Sequence, residues 1–195
     1  MQYKILNIND ISDEEYEYGY SLMSESKKQK VKRFRFSDDK KRTVAGELLA
    51  RQMIADYCDV KAEDIVFNHN SYSKPYAENL DVEFNISHSF DLVICAVSDK
   101  PIGVDIEKVR EIDRKVMSYA CNDEEYAFLN EKAIEKEEKL RRFFKIWTFK
   151  EAYIKWRGTG LKDLKTVSYF DETINRFNRV ETFGEYIISI YNKEK

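Results

Sequence analysis

The chain has 195 residues, of which 43% are hydrophobic and 14% aromatic, and a net charge of −3. That is enough apolar surface for one or two compact units, and it excludes a disordered chain. Two prolines and six glycines leave no linker-like stretch, and no run approaches the ~20 apolar residues of a membrane span. Cys58, Cys95 and Cys121 are odd in number and widely spaced, so they read as reduced core thiols rather than as disulfide, zinc or nucleophile residues. The start, MQYKILNIND, lacks the basic end and apolar core of a secretion signal, and the chain is expected in the cytoplasm.

In chain order, Ser12 with Glu15 makes a capping box that starts a helix running to about residue 22. A second helix is expected from Ser24 to Phe34. A third follows, capped by Ser37 and running to about Tyr57, with Val44, Leu48, Leu49 and Ile54 at helical spacing. Residues 24 to 42 hold nine basic side chains against three acidic ones, a local excess that favours an anionic partner. Nucleic acid is the obvious rival, but no nucleic-acid fold signature accompanies the patch and the remaining chain is acidic. Strands are expected near 64 to 68, 82 to 87 and 91 to 98.

The segment PIGVDIEKV, 101 to 109, alternates Ile102, Val104 and Ile106 with Gly103, Asp105 and Glu107 and reads as a strand. Asn122 and Glu125 open another helix through the capping-box pattern. Residues 123 to 138 carry seven acids and two lysines, the composition of a solvated helix face. A helix near 143 to 156 and strands near 166 to 170, 176 to 182 and 185 to 192 complete the chain. Helix-then-strands thus recurs at an offset of about 95 to 100 residues. The fold class expected is α+β, in two similar half-domains divided near residue 99: 1–99 and 100–195.

Two of these segments carry the chemistry. Asp105 and Glu107 share a strand face roughly 7 Å apart along the backbone. Trp147, Glu151 and Lys155 recur every four residues on one helix side. Three carboxylates that meet would suit a hard divalent cation that also takes phosphate oxygens. Standing alone, a D-x-E strand is the solvated face of a half-buried strand, and Glu then Lys at i, i+4 is a surface pair contributing ~0.3 to 0.5 kcal/mol.

Three ordered strings decide between these alternatives: NISHS at 85 to 89, IGVDIE at 102 to 107 and WTFKEAYIK at 147 to 155. Together they resemble the signature of the 4′-phosphopantetheinyl transferases, in the larger, surfactin-type branch. The S-x-x-K-x-x-K-x-x-R-F of 24 to 34, the Lys-Arg-Thr of 41 to 43 and Lys74-Pro75 are similar to that family's amino-terminal half. The resemblance implies two halves related by pseudo-two-fold symmetry, with the active site in the cleft between them, and a monomer. It implies transfer of 4′-phosphopantetheine from coenzyme A to a serine hydroxyl of an apo carrier protein, whether peptidyl, acyl or aryl carrier. Adenosine 3′,5′-bisphosphate is the other product.

Residue by residue, the resemblance makes Asp105, Glu107 and Glu151 ligands of Mg²⁺, or Mn²⁺. Glu151, Lys155 and Glu124 become catalytic residues. Lys27, Lys30, Arg42, Lys74, Ser87, His88, Lys150 and Lys155 become contacts to coenzyme A, with Ser87 beside His88 at the 3′-phosphate. Cys121 stands where the family usually has serine, three residues before Glu124. Which of Glu151, Glu124 or a metal-bound water takes the serine proton stays open, as does the carrier. Two rivals leave the ordered motifs unexplained: a metal-dependent hydrolase of coenzyme A or a nucleotide pyrophosphate, and a non-catalytic module binding anions or nucleic acid.

Overall fold

Residues 1–160 and 164–193 are described by the computed structural model. An unexpected strand, β1 (Gln2–Asn7), comes first. The helix α1 (Asp13–Ser21) then starts on the capping box, with Glu15 N donating to Ser12 Oγ and Ser12 N to Glu15 Oε2. Ser24 caps α2 (Glu25–Arg33) by accepting from Lys27 N. Ser37 does not cap the next helix, α3 (Ser37–Cys58). It is already helical, Phe36 holds the cap position, and the Ser37 hydroxyl donates to Asp38 instead.

The strand expected at 64 to 68 is a 3₁₀ turn at Ala62–Asp64 followed by a three-residue strand. That strand, β2 (Phe67–His69), forms a small hairpin with β3 (Pro75–Ala77). The next two strands, β4 (Glu83–Ser89) and β5 (Leu92–Ser98), pair antiparallel, and β1 pairs on the far side of β5 to give the order β1-β5-β4. Every residue of β5 is buried, as a central strand covered on both faces requires.

The second half repeats this plan. After β6 (Gly103–Lys108) come α4 (Arg114–Ala120), α5 (Asp123–Leu129), α6 (Lys136–Arg157), α7 (Glu172–Asn175), β7 (Asn178–Phe183) and β8 (Tyr186–Tyr191), with strand order β6-β8-β7. Both halves therefore run strand, helices, strand, strand, and both place the last strand in the middle. Their matching elements start at 2, 37, 83 and 92 in the first and at 103, 136, 178 and 186 in the second. The repeated unit begins with a strand, not with a helix. Five of the seven acids of 123 to 138 lie in the first turns of α5 and α6, where carboxylates meet the positive end of the helix dipole. That is why α6 starts at Lys136 rather than near 143. In place of a strand at 166 to 170 there is a 3₁₀ turn, Leu164–Thr166, which buries Leu164 and Val167 at a spacing of three.

The chain stacks as helix, sheet, sheet, helix. Ala45, Leu49, Ala50, Met53 and Ile54 of α3 pack on Val93, Cys95 and Val97. The opposite face of that sheet, with Leu92, Ile94 and Ala96, meets Ile102, Val104, Ile106, Ile188 and Ile190 of the second sheet. Phe144 and Ile154 of α6 join Ile187 beyond it, and the hydroxyls of Thr148 and Ser189 share a hydrogen bond of 2.8 Å. The three cysteines are free, Cys95 and Cys121 are buried, and burial pushes the Cys121 thiol up to about 12.

Candidate active site

Gly103 sets the distance between β6 and α6. A Cβ there would lie 1.9 Å from Ala152 O and 2.5 Å from Trp156 N, so only glycine lets the strand backbone rest on the helix backbone. Strand alternation turns Val104 and Ile106 to the sheet interface and Asp105 and Glu107 the other way, toward the helix side that carries Glu151 and Lys155. Lys155 Nζ lies 2.7 Å from Asp105 Oδ1, 2.9 Å from Ser87 Oγ and 3.2 Å from Val104 O.

The NISHS string is the seam between the two sheets. β4 and β6 run side by side in the same sense without a shared backbone ladder. Alternate side chains of β4 supply the bonds instead. Asn85 Oδ1 accepts from Val104 N at 2.9 Å, the Ser87 hydroxyl donates to Asp105 Oδ1 at 2.7 Å, and the Ser89 hydroxyl donates to Glu107 Oε2 at 2.7 Å. Ser87 is thus engaged by Asp105 and Lys155. It leaves the strand on the face opposite to its neighbour His88, and does not stand beside the imidazole as expected.

The three carboxylates act on one another electrostatically. Burial first, and then the charge of Asp105, raise Glu107 above the usual carboxylate range. Burial and Asp105 push Glu151 up to about 7 against the opposing effect of Lys155. Asp105 Oδ2 is buried with no hydrogen-bond partner. Among the described residues no group of three His, Cys, Asp or Glu side chains is placed so that it could hold a metal ion. The orphaned oxygen and the raised carboxylates nevertheless mark a cluster short of positive charge, and an all-oxygen donor set suits Mg²⁺ or Mn²⁺.

A cleft of about 310 Å³ opens beside Lys155, lined by Tyr72, Lys74, Pro75, Asn85, Ile86 and Gly158 among others. Lys74 reaches Ile102 O at 3.4 Å, and burial lowers its ammonium below the ordinary lysine value. Pro75 and Ile86 also line a smaller recess with Lys27, Glu47, Arg51 and His69. Lys27 is paired there with Glu47 at 2.7 Å. His88 is solvent-accessible, yet desolvation and then the positive Lys155 and Arg42 press its imidazole below the ordinary value. Arg42 donates to Asp39 Oδ1 and to Phe90 O, each at 2.6 Å.

Three expected residues are not brought to the cluster. Lys150 is wholly buried and donates to Glu125 and to Ala120 O. It is a structural cation and not a phosphate contact, because it leaves α6 on a different side from Lys155. Glu124 is exposed in the first turn of α5, while its neighbour Glu125 is buried and accepts from Lys150, Asn122 N and Tyr169 N. Lys30 is exposed on α2. Ser89, Asn85, Tyr72 and Gly158 went unmarked by sequence reasoning. For the first two, the period-two polar alternation inside NISHS was the available signal.

Two family models match the chain. Residues 10–100 match the model described as 4′-phosphopantetheinyl transferase, N-terminal, and residues 101–191 that of the 4′-phosphopantetheinyl transferase superfamily. The chain is 38% identical over 160 residues to 4′-phosphopantetheinyl transferase Sfp of Bacillus subtilis, covering 82% of this chain and 70% of that protein. It is 37% identical over 153 residues to 4′-phosphopantetheinyl transferase gsp of Aneurinibacillus migulanus, covering 78% of this chain and 63% of that one. For 4′-phosphopantetheinyl transferase HetI of Nostoc the figures are 30% over 154 residues, 75% and 64%. The chain therefore spans roughly two thirds of the length of the curated relatives it matches.

Proposed function

The chain belongs to the 4′-phosphopantetheinyl transferase superfamily, and from that premise we propose that it transfers 4′-phosphopantetheine from coenzyme A to a serine hydroxyl of an apo carrier protein. The observation that carries this is the cluster of Asp105, Glu107 and Glu151 around Lys155, at the edge of a cleft lined by Lys74 and Lys155. In the reaction the serine oxygen bonds to the β-phosphorus of the coenzyme A pyrophosphate. The bond from that phosphorus to the bridging oxygen breaks, and adenosine 3′,5′-bisphosphate departs with the electron pair.

Asp105, Glu107 and Glu151 would hold Mg²⁺, or Mn²⁺, which withdraws charge from the pyrophosphate oxygens when bound. Lys155 donates to a phosphate oxygen. Glu151 is assigned to take the serine proton, since Glu124 of α5 is not brought to the cluster. His88 and Arg42 are assigned to the 3′-phosphate, with Lys27 and Lys30 supplying further positive charge, and Lys74 to the face of the cleft. In this assignment the half 1–99 holds coenzyme A and the half 100–195 carries the metal and proton chemistry. With two related halves in one chain, a monomer contains the whole cleft. We place the protein in the cytoplasm, where Cys58, Cys95 and Cys121 stay reduced. No helix among the described residues is long and apolar enough to cross a membrane.

The test is intact-mass spectrometry of apo peptidyl, acyl and aryl carriers incubated with the protein, coenzyme A and Mg²⁺, with a chelator control. A metal-dependent gain of about 340 Da on a carrier serine is expected. Coenzyme A cleaved with no gain on any carrier would overturn transfer in favour of hydrolysis.

A further inference from the structure

The two acids of β6 share a pattern that the metal assignment does not use. Each is met by a serine of β4, and in each the donors gather on one oxygen. Ser87 and Lys155 both donate to Asp105 Oδ1, and Oδ2 is left buried and unpartnered. Ser89 and Arg110 both donate to Glu107 Oε2, at 2.7 and 3.1 Å. The serine hydroxyls are themselves oriented. Ser87 Oγ accepts from Lys155 Nζ at 2.9 Å, and Ser89 Oγ accepts from Lys108 N at 3.2 Å. A hydroxyl that accepts an N–H in this way turns its single proton to the remaining neighbour, which is the carboxylate.

We propose that Ser89, together with Ser87, is a positioning residue that orients the metal-binding carboxylates, holding one oxygen of each acid so that the other faces the cation. The inference rests on the divalent-cation assignment above. Both serines are buried, each 7% exposed, and each bond restrains the carboxyl plane. A carboxylate on β6 without its serine would rotate about its last torsion, and the cation would have to pay for freezing it. Groups that orient metal ligands in this way typically contribute 10- to 100-fold in affinity. A seam that only stitched β4 to β6 would affect stability and leave metal affinity alone.

The experiment is a Mn²⁺ titration in the presence of coenzyme A, following the free ion by electron paramagnetic resonance, with coenzyme A alone as the blank. The proteins compared are wild type, Ser89→Ala, Ser89→Thr and Asp105→Ala, each checked for folding by circular dichroism melting. Expected are a 10- to 100-fold rise in the Mn²⁺ Kd for Ser89→Ala, near-recovery in Ser89→Thr, which keeps the hydroxyl, and loss of binding in Asp105→Ala. A folded Ser89→Ala protein with the wild-type Kd, while Asp105→Ala has lost binding, overturns the positioning role and leaves the metal assignment standing. Equal binding by wild type and Asp105→Ala, or none by wild type, overturns the metal assignment itself.

Discussion

At Asp105 one carboxylate oxygen holds Ser87 and Lys155 and the other is buried without a partner. Removing this side chain takes away a proposed ligand and leaves Lys155 without its closest anion. We expect Asp105→Ala to lower carrier modification by about a thousandfold or more, measured as kcat/KM from the rate of mass gain. His88 stands outside that cluster, so His88→Ala should instead raise the KM for coenzyme A by about tenfold with kcat little changed. Equal loss of kcat in both variants would break the division of roles. Glu151 also predicts a pH dependence for the metal-free protein. Its carboxyl is raised from 4.5 to about 7 in the fold, so between those values the folded state binds more protons than the unfolded one. Stability therefore falls as pH rises through that window, with Glu107 adding in the same direction. Urea denaturation at several pH values should show the slope in wild type and a smaller one in Glu151→Gln.

Among the elements, the contact of β6 on α6 is the joint that assembles the cluster. With 1.9 Å available between a Cβ at position 103 and Ala152 O, any side chain must push the strand off the helix. Gly103→Ala is expected to cost about 1–3 kcal/mol or more, read from urea midpoints, and to reduce transfer beyond what the lost stability explains. A protein with unchanged stability would mean that the two backbones part without cost. The same closeness explains how a six-residue strand and one helix, separated by 27 residues of chain, form one site. The local periodicities of two and 3.6 orient their acids, and the glycine brings the two faces together.

Across the whole molecule, the buried pair of Lys150 and Glu125 fastens the second half. Glu125 gathers Lys150, Asn122 N and Tyr169 N, and Lys150 also holds Ala120 O. One ion pair thus binds α6, both helices before it and the loop after it. Lys150→Met would leave the carboxylate buried and unpaired, at a cost of about 3–5 kcal/mol, and adding Glu125→Gln should recover part of that. Thermal melts check both, and the KM for coenzyme A of the folded fraction should stay at the wild-type value. A selective rise in that KM would return Lys150 to the phosphate contacts.

The residues alone determined the features governed by local geometry: the capping boxes at Ser12 and Asn122, the shared face of Asp105 and Glu107, the shared side of Glu151 and Lys155, and the α+β class with its repeat. These follow from backbone periods and near-neighbour hydrogen bonds, which act over a few residues. Tertiary structure decided the rest. It drew β1 into the sheet against β5, where pairing partners about ninety residues away supply its ladder. It turned 164–166 into a 3₁₀ turn that buries Leu164 and matched Ser87 to Asp105 rather than to His88. It also buried Lys150 against Glu125 while leaving Lys155, five residues on, in the cleft. In each of these cases the deciding partner lies far along the chain, and its position is fixed only when the layers pack.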